Sequence, residues 1–112
     1  LRMASLEYRN EWTRHIVVDQ IGDPSDPDDD ARLRNNSPIN HVAKVKSPVL
    51  LIHGTHDTRV RTKQSRDYHS AARRAGVDTQ YIELKYGTHF FDEYDNRLKV
   101  FEALDNFLRK HL

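Results

Sequence analysis

Apolar residues are sparse along this chain and fall into short periodic segments set between polar or Gly/Pro-rich punctuation. From Leu6 to Ile21, Trp12, Ile16, Val17, Val18 and Ile21 recur among charged positions, which predicts an amphipathic helix. Gly22 to Asn40 then holds three of the four prolines and the cluster Asp23, Asp26, Asp28, Asp29 and Asp30, which predicts a solvated loop or short helical turns. Val49-Leu50-Leu51-Ile52 is an unbroken apolar run preceded by Pro48 and stopped by Gly54, the pattern of a strand covered on both faces. Thr62 to Ala75 carries Tyr68, Ala71, Ala72 and Ala75 at helical spacing, with Gly76 as its C-cap. Thr79 to Leu84 reads as a second strand, between the Gly76-Val77-Asp78 turn and Gly87. From Asn96 to Lys110, Leu98, Phe101, Leu104 or Asp105, and Leu108 form a helical stripe flanked by Val100 and Phe107.

The order strand, helix, strand, helix predicts an α/β fold with parallel pairing, because the crossover through Thr62 to Ala75 is long enough to return the chain to the same end of the sheet. A two-stranded parallel sheet is not stable alone, so the chain is expected to be part of a larger domain. Within it, residues 1–21 are a helical segment, 22–47 an acidic Pro-rich loop with short turns, and 48–112 the strand–helix–strand–helix unit. At 112 residues there is room for one domain and not two.

Composition narrows the function classes. Hydrophobic residues make up 37% and charged residues 31%, and no run approaches the roughly 18 apolar residues of a membrane span. Lys and Arg number 18 against 17 Asp and Glu, interleaved, so no field for nucleic acid or a membrane surface is implied. Without cysteine there is no disulfide, thiolate metal site or cysteine nucleophile. Charges interrupt Leu1 to Arg9 where an export signal needs an apolar core, and the expected compartment is the cytoplasm. The acidic cluster lacks the spacing and the glycine of a calcium loop. The four glycines are unpaired, which argues against a phosphate-cradling loop.

In an open parallel sheet, reactive groups gather beyond the carboxyl ends of the strands. Two loops meet that description: His53-Gly54-Thr55-His56-Asp57-Thr58-Arg59-Val60, and Lys85-Tyr86-Gly87-Thr88-His89-Phe90-Phe91. Adjacent strands would bring Asp57 within reach of His89, and a carboxylate that orients an imidazole is two thirds of a Ser-His-Asp system. Duller readings stand beside this one. An Asp after a strand commonly forms a turn or caps a helix, and a loop histidine is commonly solvated. His53, His56 and Asp57 invite a metal reading but lack a further ligand at a typical spacing. Arg59 and Arg61 offer either a carboxylate clamp or ordinary solvated surface. His15, His41, His69 and His111 read as surface or capping residues, and Tyr8, Trp12, Tyr81, Phe90, Phe91, Phe101 and Phe107 as core or interface material.

Pro48-Val49-Leu50-Leu51-Ile52-His53-Gly54, followed by Asp57 and Val60, resembles the acid-loop segment of the prolyl oligopeptidase family of serine peptidases, whose catalytic domain is an α/β hydrolase. Ser37-Pro38-Ile39-Asn40-His41-Val42 is similar to the segment before this strand in the acylaminoacyl-peptidase and dipeptidyl-aminopeptidase branches, and Gly87-Thr88-His89-Phe90 resembles the histidine loop. The similarity runs from Gly22 to Leu112, and the order of Asp57 before His89 suits the family's Ser, Asp, His. The resemblance implies that Asp57 is the orienting acid and His89 the general base and acid, with no metal or organic cofactor. The family's nucleophile lies in a G-x-S-x-G turn, and none of Ser5, Ser25, Ser37, Ser47, Ser65 or Ser70 has those flanking glycines.

The chain is therefore expected to be the C-terminal part of a hydrolase catalytic domain, inactive alone, whose parent takes a peptide substrate and whose nucleophile lies on an upstream half. Two rivals remain. One is an esterase of the same fold, since the triad is shared. The other is a non-catalytic module that self-associates, as a homodimer, through an exposed sheet edge.

Overall fold

The computed structural model describes residues 11–112, and the chain divides into two compact units, Leu1–His41 and Val42–Leu112. In the first unit, α1 runs Glu11–Gln20, and the predicted onset of this helix at Leu6 lies outside the described residues. The nine-residue helix α2, Pro27–Asn35, occupies the segment predicted as a loop or short turns. Pro27 and the aspartates around it read as interruptions but are start signals. Pro27 stands at the first helical position, where a missing N–H costs nothing. The Asp26 carboxylate accepts from the N–H groups of Asp28 and Asp29 at 3.0 Å each. Asp28, Asp29 and Asp30 lie in the first turn and Arg32 and Arg34 in the last, the arrangement the helix dipole favours. Arg32 reaches Asp29 at 2.6 Å and Arg34 reaches Asp30 at 2.7 Å, while Leu33 is fully buried. A 3₁₀ helix follows at Pro38–Lys44.

The second unit has the predicted order. Strands β1, Val49–Gly54, and β2, Thr79–Leu84, pair in parallel from Val49 opposite Thr79 to Gly54 opposite Leu84, so their carboxyl ends finish level. Helix α3, Thr62–Arg74, makes the crossover and packs on both strands. It ends at Ala75, with Gly76 one position later at φ +78°. Gly76 donates to the Arg73 carbonyl and Val77 to that of Ala72, the paired bonds of a Schellman turn, which glycine adopts without a Cβ penalty.

Helix α4, Tyr94–His111, begins two residues before the predicted start and packs against β1. Its buried side chains are Asn96 and Ala103, so the face towards the sheet is the one on which Val100 and Phe107 are half-buried. The stripe that the periodicity marks lies on the other face: Leu98, Phe101 and Leu108 are 45%, 67% and 47% exposed, and the flanking Val100 and Phe107 are the ones turned inward. Small Ala103 lets the helix approach the strand, and the bulkier stripe is left outward. Likewise Val49–Ile52 are half-buried rather than covered on both faces, because among the described residues the sheet has two strands, each with an unpaired edge. No helix among the described residues is long and apolar enough to cross a membrane.

Candidate active site

The level strand ends deliver two loops to one place, and hydrogen bonds lace them together. Thr55 donates its N–H to the Leu84 carbonyl at 3.0 Å and His56 to that of Gly87 at 2.9 Å, while the Tyr86 N–H reaches the Thr55 hydroxyl at 2.8 Å. Tyr86 and Phe91 bracket the second loop with left-handed backbone, φ 60° and 51°, a conformation that costs on the order of 1 kcal/mol for a residue with a side chain. Between them, the Thr88 hydroxyl donates to Asp92 at 2.8 Å and accepts from the Phe90 N–H at 3.3 Å, which pins the stretch carrying His89.

Asp57 and His89 meet. His89 Nδ1 lies 2.8 Å from Asp57 Oδ2, and the carboxylate is 5% exposed while the imidazole is 40% exposed. The other oxygen, Oδ1, accepts from the N–H groups of Arg59 and Val60 at 2.8 Å each. These two bonds make an Asx-type turn, so one oxygen of Asp57 forms the turn while the other meets His89. With Nδ1 donating to a carboxylate, the His89 ring carries its lone pair on Nε2, the tautomer of a general base.

Burial raises the Asp57 carboxyl, but the Val60 N–H, the His89 ring and the Arg59 N–H together outweigh it and bring the group down from 3.8 to about 2. A carboxyl whose folded value lies below its unfolded one stabilises the protein above about pH 4, and that contribution is lost as pH falls through about 2. Urea denaturation of wild type and Asp57→Asn at pH 6 and pH 3 checks this. The stability gap between the two is expected to narrow at the lower pH, by on the order of 1 kcal/mol. An equal gap at both pH values contradicts it.

The sequence profile of the prolyl oligopeptidase family matches residues 4–112. The chain belongs to that family. Membership places it among the α/β hydrolases, and its two parallel strands with flanking helices agree. Among curated proteins it is 32% identical over 82 residues to the acylamino-acid-releasing enzyme of Homo sapiens, covering 73% of this chain and 11% of that one. It is 28% identical over 85 residues to acylamino-acid-releasing enzyme 1 of Oryza sativa subsp. japonica, covering 76% and 11%. The esterase LipQ of Mycobacterium tuberculosis is 38% identical over 76 residues, covering 64% and 18%. The chain thus spans between a tenth and a fifth of the length of these relatives.

Other residues of this prolyl oligopeptidase family chain sort differently from the sequence reading. Arg59 places its guanidinium 5.2 Å from the Phe90 ring centre, and Phe90, 65% exposed and so outside the core, meets His89 edge-on at 5.2 Å, which leaves the interface half of its core-or-interface reading. His56 packs edge-on against Tyr86 at 5.0 Å and does not join His53 and Asp57. Among the described residues, no three His, Asp or Glu side chains converge as a metal site. His111 packs on Phe107 at 4.6 Å, and His69 contacts Thr79 at 3.3 Å.

Sequence reasoning missed the surroundings of His53. This ring is 7% exposed, with Nδ1 2.7 Å from the Ser65 hydroxyl and Nε2 3.0 Å from the Val60 carbonyl and 3.2 Å from Asp57 Oδ2. The available signal was strand alternation, which puts His53 on the face of β1 that receives α3, four residues before Asp57. On β2, its register partner Glu83 is held by Arg66 of α3 and the Tyr81 hydroxyl, and those hydrogen bonds keep the Glu83 carboxyl below its ordinary value.

Proposed function

We propose that this chain is the C-terminal part of a serine peptidase catalytic domain and contributes Asp57 and His89 of a Ser-His-Asp triad. The nucleophilic serine then comes from a segment outside these 112 residues, and the chain alone is inactive. The 2.8 Å contact between Asp57 and His89 at the shared carboxyl ends of two parallel strands carries this reading. Two further observations support the fragment part of it: both outer edges of the two-stranded sheet are open among the described residues, and so is the Leu98, Phe101 and Leu108 stripe of α4. The upstream half of the catalytic domain is the partner that fits them.

In the intact enzyme the serine hydroxyl attacks a substrate carbonyl while His89 Nε2 takes its proton. The resulting imidazolium is stabilised by Asp57 through Nδ1–H. His89 returns the proton to the leaving amine, and a water, deprotonated the same way, releases the acyl group from serine. The names of the human and Oryza relatives favour a peptide with an acylated first residue as substrate. The identity to LipQ favours ester hydrolysis as the second reading, since the same proton path serves either leaving group.

A fluorophosphonate probe tests the proposal. The 112-residue chain is expected to remain unlabelled. The longer protein that includes the upstream segment is expected to label at a serine outside these residues, and to lose labelling with His89→Ala. Labelling within the chain, or undiminished labelling of His89→Ala, overturns the proposal. An unlabelled longer protein that dimerises through the open sheet edge decides for a non-catalytic self-pairing module. Acetyl-peptide anilides against p-nitrophenyl esters separate peptidase from esterase.

A further inference from the structure

The acid of the proposed pair has a second histidine behind it. His53 Nε2 lies 3.0 Å from the Val60 carbonyl, which can only accept, so this nitrogen carries a hydrogen, and Asp57 Oδ2 stands beside it at 3.2 Å. In the neutral ring, Nδ1 is then an acceptor, and the Ser65 hydroxyl of α3 donates to it at 2.7 Å. Val60 closes a circuit, because its N–H donates to Asp57 Oδ1 at 2.8 Å while its carbonyl receives the His53 hydrogen. One buried nitrogen therefore holds the turn that presents the carboxylate, through the Val60 carbonyl, and lies beside Asp57 Oδ2, which sits between two imidazoles.

Ser65, His53 and Asp57 superficially repeat a Ser-His-Asp set. A catalytic role for them does not fit the geometry, since the His53 ring is almost wholly enclosed and its serine contacts Nδ1, with Nε2 turned to the acid. The arrangement instead matches a support for the working acid, of the kind in which a group behind a reactive residue fixes its orientation. Among the described residues, charged and titratable groups near it include Asp57 and His89 on the loops and the Glu83, Arg66 and Tyr81 cluster at its register position, whose members bond one another.

We propose that His53 is a positioning residue of the hydrolase, clamping the Asp57–Val60 turn through the Val60 carbonyl so that the carboxylate meets His89 in one orientation. The proposal rests on Asp57 and His89 being the acid and base of the enzyme.

The rate of fluorophosphonate labelling in the intact protein tests it, because that rate reports activation of the serine whatever the natural substrate. His53→Phe keeps ring volume and removes the donor, and it is expected to slow the saturated labelling rate about tenfold with probe affinity within about twofold. Gln carries its side-chain nitrogen near the place of His Nε2, so His53→Gln is expected to recover most of the rate. His53→Phe combined with Ser65→Ala removes the hydroxyl stranded by the first change and guards against a folding artefact. It is expected to be as slow as His53→Phe while its urea midpoint returns towards wild type. Wild-type labelling by His53→Phe, or equal slowing by Gln and Phe, overturns the proposal. His89→Ala measured alongside separates the failures: if that variant also labels at full rate, the triad reading falls; if it is dead while His53→Phe is fully active, only the clamp falls.

Discussion

Asp57→Asn in the intact enzyme is expected to lower kcat by about 10⁴-fold with KM little changed, a larger loss than an isosteric exchange of one atom suggests. The reason lies in how the two carboxylate oxygens are used. Oδ1 receives two backbone N–H groups, from Arg59 and Val60, so an asparagine must place its carbonyl oxygen there. Its NH₂ is thereby forced into the Oδ2 position, facing His89 Nδ1. A donor at that position requires Nδ1 to accept, which moves the hydrogen of the neutral ring to Nε2, and that nitrogen can no longer take a proton from serine. Kinetics on an acetyl-peptide anilide over pH 6–9 measure the loss. A variant within tenfold of wild type would remove Asp57 from the proposed triad.

The pairing at the heart of this site was legible because it follows from topology. Two apolar runs joined by a crossover helix lie parallel and finish at one end, which brings the two loops together. The resemblance of those loops to the family's acid and histidine segments singles out Asp57 and His89 over neighbours such as His56. Elements with local signals were legible to within a residue or two, as with the turn around Gly76. What periodicity could not supply was the choice between two apolar faces of one helix. On α4 the larger stripe, Leu98, Phe101 and Leu108, is the more conspicuous, yet the face with Asn96 and Ala103 meets the strand, because close approach favours small side chains over bulky ones. The segment after Gly22 misled for the opposite reason: proline and aspartate serve equally as turn formers and as the opening residues of a helix. Only Asp26 bonding to two N–H groups shows which. His53 was hidden by strand form, since alternation says which face a side chain takes but not that a serine and a carboxylate await it there.

Gly54→Ala is expected to destabilise the protein by about 3 kcal/mol or more and to reduce kcat at least 10²-fold. A Cβ at Gly54 would stand 2.1 Å from the Gly87 carbonyl oxygen, 2.5 Å from its carbon and 2.8 Å from the Thr88 carbonyl oxygen, all backbone atoms that have no rotamer with which to yield. The two loops must part, and the bond from the His56 N–H to Gly87, now 2.9 Å, is lost with the contact. His89 lies two residues beyond Gly87, so the displacement reaches the Asp57–His89 pair directly, and a shift of about 1 Å there is enough for the kinetic effect. Gly76→Ala separates this clash from ordinary glycine strain. Gly76 has φ +78° and nothing within 4 Å of its missing Cβ, so its replacement is expected to cost about 1 kcal/mol and leave kcat unchanged. Urea midpoints by circular dichroism, with kcat on the same samples, compare the two. Equal destabilisation, or full activity in Gly54→Ala, would mean that the close passage of the two glycines does not set the spacing of acid and base.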